Sequence, residues 1–266
     1  MGMRINQAVV MVTGASSGIG EVTTIKLAQR GAQVWAVARS EGALGELAGR
    51  QSGITPFVAD VTDPGAREAA IEAAGPIDVL INNAGLGWSG LVEDMPAESV
   101  RQLFEVNVLA LIDLTQRVLP GMLQRRRGHI VNMASVASWV STPPLTMYSA
   151  TKHAVQGFSE GLRRELLGRG VAVTTINPGP VATRFTARAE RDVPTDQMGD
   201  DRMPGVPASM VADEIVRAIE ANGLPPYDVV PVPRTLAPSQ FASLPGASVM
   251  LDAAAMMARQ FVSRRT

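Results

Sequence analysis

Cysteine does not occur among the 266 residues, and histidine occurs only twice. The first absence excludes disulfides, thiol nucleophiles and cysteine-ligated metals, and it permits a reducing compartment. The second leaves little for a metal site, because His129 and His153 have no ligand partner at useful spacing and read as structural. A charge excess is missing too: 24 basic residues stand against 25 acidic ones, so no global field draws the chain to nucleic acid or an anionic membrane. Charges, glycines or prolines interrupt every apolar run before the roughly 20 residues that cross a bilayer. The opening "MGMRINQAVVMVTG" lacks the charged, apolar, small-residue order of a secretory leader. Internal repeats and low-complexity tracts are absent. The expectation is a cytoplasmic protein with neither a nucleic-acid nor a membrane partner.

What is present is a globular composition, 46% apolar and 18% charged, with the length of one α/β domain spanning 1–266. Short β-branched runs alternate with segments of helical period: "AVVMVTG", Ile19 to Arg30, "AQVWAVA", Glu41 to Gly49, "ITPFVAD", Pro64 to Ala74, "IDVLINNAG". The pattern continues with a long helical tract from Pro96 to about Arg126, the strand "GHIVNMAS", a helix from Met147 to Gly168 and the strand "VAVTTINPG". A helix over Pro207 to Ala221 and the strand "YDVVPV" complete it. Such alternation predicts a doubly wound parallel sheet of about seven strands, helices on both faces, with its ligand crevice at the strand carboxyl ends.

Two regions depart from it. Residues 183–207 are polar and proline-punctuated after a strand end, and read as a mobile flap over the site or as a plain surface loop. The extension from 234 places methionines and alanines at helical spacing. Core or subunit packing fits it better than a membrane-surface helix, because no dense basic face opposes the apolar one.

After the first strand comes "TGASSGIG", Thr13 to Gly20. Gly14 allows a tight turn, Gly18 lets backbone approach a pyrophosphate, and Gly20 lets the following helix pack closely; Ser16, Ser17 and Ile19 share the turn. A run of this kind between a strand and a helix points to a dinucleotide. The second strand ends Val37-Ala38-Arg39-Ser40, where a carboxylate would meet a free ribose 2′-hydroxyl. Arg39 instead suits a 2′-phosphate, so NADP(H) is expected over NAD(H), a plain surface arginine being the other reading. Asp60 and Val61 suit an adenine pocket, though an aspartate at a strand end also caps helices. In "NNAG", Asn83 can hold backbone while Ala84 and Gly85 leave room for a ribose, and Asn82 reads as structural.

"MYSATKHA" sets Tyr148 and Lys152 four apart, on one helix face. A nearby ammonium favours the phenolate, so the phenol is expected to be depressed in pKa and to trade protons. Ser135 precedes Tyr148 by thirteen residues at a strand end, so both hydroxyls can reach one carbonyl oxygen. Asn107 lies in an apolar helical tract, where an amide is costly without partners; it is either structural or holds a water near Lys152. Trp88, Trp139, Pro143, Pro144, Leu145 and Met147 suggest an apolar substrate surface, with ordinary core as the other reading of Trp139. Arg125 to Arg127 read as a solvated helix end.

Together "TGASSGIG", "NNAG", Asn107, Ser135, Tyr148-x-x-x-Lys152 and "NPGPVAT" resemble the short-chain dehydrogenases/reductases, closely from Val9 to about Thr183. The resemblance implies a Rossmann sheet in strand order 3-2-1-4-5-6-7. It implies Tyr148 as general acid/base, Lys152 on the nicotinamide ribose, Ser135 on the substrate oxygen and Asn107 in a water relay. Pro178, Gly179, Val181 and Thr183 would hold the nicotinamide end, and a homodimer or homotetramer would pack through the two long helices. The function expected is hydride transfer between NADP(H) and a small-molecule apolar ketone, aldehyde or secondary alcohol. A dinucleotide-binding regulator without turnover and a membrane-associated lipid-modifying reductase are the alternatives.

Overall fold

The computed structural model describes residues 3–182, 190–191, 205–223 and 228–236. Seven strands form one parallel sheet: β1 (Val9–Thr13), β2 (Gln33–Ala38), β3 (Ile54–Val58), β4 (Val79–Asn82), β5 (Gly128–Met133), β6 (Val171–Pro178) and β7 (Val229–Val232). Their order is β3-β2-β1-β4-β5-β6-β7, as the resemblance implied, with the reversal between β1 and β4. Ligands of such sheets bind outside the strand carboxyl ends at that reversal.

Among the described residues the α-helices are α1 (Gly18–Gln29), α2 (Glu41–Arg50), α3 (Pro64–Ala74), α4 (Ala97–Phe104), α5 (Ala110–Arg125), α6 (Thr146–Glu165) and α7 (Ala208–Glu220). Local chemistry sets their ends. Asp63 accepts the Gly65 N–H at 2.8 Å and Pro64 opens α3, which Gly75 closes at φ 69°. Ser40 accepts the Ala43 N–H at the start of α2.

Strand alternation feeds two cores. Val10 and Val12 of β1 pack with Leu27 of α1, Leu44 of α2 and Ile215 and Ile219 of α7. Met11 points the other way, to a cluster holding Ala70 of α3, Leu114 and Val118 of α5, and Leu162 of α6. Both faces are therefore covered, which is why the strands read as continuous apolar runs.

The expected long helix from Pro96 is divided. Between α4 and α5 the helix widens into a π segment, Glu105–Leu109, with Asn107 inside it. Counted as one, 97–125 has the length and composition of a membrane-crossing segment, with a mean hydropathy of 1.2 in its most apolar window. The expectation that every apolar run is interrupted is corrected to that extent. This helix belongs to the sheet's cover: 44% of the window is buried, and its inner face supplies Leu111, Leu114 and Val118 to the cores.

The sequence also gave no sign of a second, two-stranded parallel pairing, in which Trp88–Ser89 meets Glu190–Arg191. Those two residues and 205–207 are the described parts of the expected flap. Thr183 and the extension beyond 236 lie outside the described residues.

Candidate active site

The glycine turn after β1 is built around contacts that leave no room for a Cβ. Gly14 and Gly18 hold φ of 66° and 61°, a region that favours glycine. A Cβ on Gly20 would stand 2.5 Å from Asn83 Nδ2 and closer still to the Gly14 carbonyl oxygen. One on Gly14 would meet Ala84 Cα at 2.9 Å. Asn83 closes the turn: its Nδ2 donates to the carbonyls of Thr13 at 2.9 Å and Gly14 at 3.3 Å. The side chain of Asn83 is thus committed to backbone, while Ala84 and Gly85 flank the turn.

Thr13, which sequence reasoning did not single out, joins the same closure. Its buried hydroxyl accepts the N–H groups of Asn83 and Ala84, each at 3.0 Å. Asn82 points instead into the core, donating to Asn132 Oδ1 at 2.9 Å and Thr115 Oγ1 at 3.2 Å, the structural role expected of it. Ser17 at the start of α1 does not cap the helix with its side chain, in contrast to Ser40 of α2 and Asp63 of α3. The N-terminal amides of α1, its positive dipole end and glycines at the closest contacts of the turn fit a pyrophosphate.

Arg39, 68% exposed, lies 3.8 Å from Asp60 at the carboxyl ends of β2 and β3. Asp60 Oδ1 accepts the amide and hydroxyl of Thr62 at 2.9 and 2.8 Å. Partial burial pushes the Asp60 carboxyl up, but the Thr62 hydrogen bonds and the Arg39 guanidinium outweigh it and hold the group below its ordinary value. Asp60 does not cap α3; Asp63 does.

At the ends of β5 and β6 the hydroxyl-bearing residues converge. Ser135 opens a short turn and accepts the Ala137 N–H at 3.1 Å. Its side chain also hydrogen-bonds the Tyr148 phenol. Asn177, buried on β6, fixes this turn by donating to the Ser135 carbonyl at 3.1 Å and to Ser138 Oγ at 2.8 Å. Pro178 and Gly179 follow on the same edge, where Gly179 N–H donates to the Val232 carbonyl at 2.8 Å. Val181 forms an isolated bridge with Val206.

Lys152 is 5% exposed, and its ammonium donates to the Met133 carbonyl at 2.8 Å, beneath the Tyr148 ring. Burial drives the ammonium down to about 8. The expectation that Lys152 depresses the phenol is corrected for the protein alone: burial raises Tyr148 to about 12, and the Ser135 hydrogen bond only partly opposes it. Desolvation of a phenolate outweighs an ammonium turned toward a carbonyl.

Asn107 holds the loop after β4. Its Oδ1 accepts the Leu86 N–H at 2.7 Å, and its Nδ2 donates to the Leu86 carbonyl at 3.0 Å and Thr151 Oγ1 at 3.1 Å. Thr151 in turn donates to the Tyr148 carbonyl at 2.7 Å, a link the sequence did not suggest. The apolar surroundings are more buried than expected. Trp88 and Trp139 are 4% and 8% exposed, and Trp88 packs with Met95 and Leu103, with Met147 against them. Trp88 is therefore core beneath the site, not an open substrate wall.

Comparison with known proteins gives a consistent picture. The sequence profile described as short chain dehydrogenase matches residues 8–194. Mouse dehydrogenase/reductase SDR family member 7B is 38% identical over 197 residues, which cover 70% of this chain and 61% of that protein's length. Among solved structures, a short-chain dehydrogenase from Sphingobium yanoikuyae in complex with NADPH aligns with a TM-score of 0.77 at 32% identity, covering 92% of this chain and 95% of the other. A short chain dehydrogenase/reductase from Burkholderia phymatum in complex with NAD aligns at 0.80 with 27% identity, covering 90% and 94%.

Proposed function

The chain belongs to the short-chain dehydrogenases/reductases and is an oxidoreductase of that family; from that premise we propose that it interconverts an apolar ketone or aldehyde and the corresponding alcohol with NADP(H), using Tyr148 as general acid/base. The observation that carries this is the hydrogen-bonded pair of hydroxyls, Ser135 and Tyr148, at the carboxyl edge of the sheet. Two hydroxyls at one point can hold and polarise one substrate oxygen.

The nicotinamide, when bound, supplies or takes up the hydride. Everything else falls to the chain's own groups. The raised pKa of Tyr148, about 12, keeps its proton in place at neutral pH, as a donor to a developing alkoxide requires. Ser135 shares that oxygen and stabilises its charge. Lys152, already buried below the phenol, holds the nicotinamide ribose. Gly14, Ser16, Ser17, Gly18, Ile19 and Gly20 hold the pyrophosphate; Asp60 and Val61 hold adenine; Pro178, Gly179, Val181 and Thr183 hold the nicotinamide end.

The preference for NADP(H) rests on Arg39, exposed where a 2′-phosphate would lie, because the related structures carry either NAD or NADPH. Subunits would meet through the two long helical stretches, 96–126 and 147–168, on the first of which Leu109 stands 51% exposed. The decisive experiment is an NADPH-oxidation screen over ketones and aldehydes of graded size. Turnover of an apolar carbonyl supports this function. NADPH binding with no turnover across the series supports the regulator instead.

A further inference from the structure

Helix α3 is rich in alanine, yet it buries an arginine whose side chain is only 6% exposed. A guanidinium taken out of water is costly unless its charge and its N–H groups find partners. Arg67 finds them on three other segments. Nε donates to Asp113 Oδ2 of α5 at 2.6 Å, and Nη1 donates to the Val61 carbonyl at 2.5 Å. Glu105 of the π segment lies 4.0 Å away. Asp113 is itself held by Arg117 Nε at 2.7 Å, and Arg117 pairs with Glu68 at 3.5 Å. The Arg67 guanidinium is thus tethered on its far side and cannot swing.

Its effect falls on one peptide. The Val61–Thr62 unit has its carbonyl oxygen fixed by Arg67, while its N–H donates to Asp60 Oδ1 at 2.9 Å. Both ends of the peptide plane are pinned, and with them the direction of the Asp60 carboxylate and of the Val61 backbone. We propose that Arg67 is the positioning residue for the adenosine end of the dinucleotide site, holding the Asp60–Val61 turn from beneath without touching the ligand. This rests on the assignment of Asp60 and Val61 to the adenine.

The test uses the full chain with Arg67 intact, Arg67→Met and Arg67→Lys. Calorimetry measures the adenosine bisphosphate half of NADP and, separately, nicotinamide mononucleotide; kcat is measured at saturating NADPH. Arg67→Met is expected to weaken the adenosine half by about tenfold and to raise the KM for NADPH in parallel. Nicotinamide mononucleotide affinity and kcat should stay within about twofold. Arg67→Lys keeps the charge and one hydrogen bond, so it should recover part of the loss.

Should Arg67→Met not fold, the lysine variant carries the test, with a loss of about threefold confined to the adenosine half. Unchanged adenosine-half affinity in a folded variant overturns the role of Arg67, as does an equal loss for both halves. If the parent chain binds neither half, the dinucleotide assignment falls, and this proposal with it.

Discussion

The Lys152 ammonium lies 5.6 Å from the centre of the Tyr148 ring while donating its hydrogen bond to the Met133 carbonyl at 2.8 Å. The two residues that the sequence pairs by spacing are therefore stacked in space, with the Lys152 ammonium given to a backbone carbonyl. In the protein alone Lys152 is anchored to β5, and the Ser135 side chain hydrogen-bonds Tyr148.

Replacing Tyr148 by Phe removes one oxygen and leaves the ring, so the packing around it is kept. Turnover should fall by roughly two to four orders of magnitude, the scale of a lost general acid. NADPH affinity by fluorescence titration should stay within about threefold. Substantial residual turnover would refute the acid/base role.

Lys152 has been driven from 10.5 to about 8 by burial, so its charge is lost as pH rises past 8. NADPH affinity measured between about pH 6.5 and 9.5 should hold below 8 and weaken above it, by at most about tenfold per unit. In Lys152→Met that dependence should vanish. An equally steep loss in the variant would place the titrating group elsewhere.

At Arg39 the question is which dinucleotide is preferred. Arg39→Asp replaces an exposed guanidinium beside Asp60 with a carboxylate that repels a phosphate and accepts from a ribose hydroxyl. The ratio of kcat/KM for NADPH over NADH should drop by at least about tenfold, worth ~1.4 kcal/mol. An unchanged ratio sinks the assignment of Arg39 to the 2′-phosphate.

Gly20→Ala forces a Cβ against the Gly14 carbonyl and the Asn83 amide, which themselves close the turn. Overpacking of this kind costs about 1–3 kcal/mol. Thermal melting should show the loss, and NADPH binding should fall with it because the turn that would cradle the pyrophosphate is opened. Gly42, whose Cβ meets nothing within 4 Å, is the control, and its alanine variant should melt and bind like the parent.

His129 is fully buried in β5, with Nε2 2.9 Å from Thr174 Oγ1, and burial drives its imidazole from 6.5 down to about 3. Between those values the unfolded chain binds a proton that the native one refuses. Its contribution is fully present above pH 6.5 and is lost as pH falls toward 3, at up to ~1.4 kcal/mol per unit. Urea denaturation at stepped pH should show this slope, reduced by that amount in His129→Val. An identical slope in the variant would clear His129 of the effect.

The sequence by itself determined the layer architecture and singled out the candidate site residues. Parallel strands buried on both faces must be continuous and apolar, and the helices between them keep a helical period, so "AQVWAVA" or "PGAREAAIEAA" can be read directly. The glycines of "TGASSGIG" were legible for the same reason: two of them occupy positive φ and a third has no space for a Cβ.

What only the tertiary structure decided depends on contacts between distant segments. Asn107 reaches Leu86 and Thr151, Asn177 reaches the Ser135 turn, and Arg67 reaches Val61 and Asp113. No periodicity records such bonds, because side-chain spacing reports which face a residue is on and not what lies opposite it. The same limit explains the phenol. Spacing set Tyr148 and Lys152 on one face, but burial and the competing Met133 carbonyl decided how their protons are held.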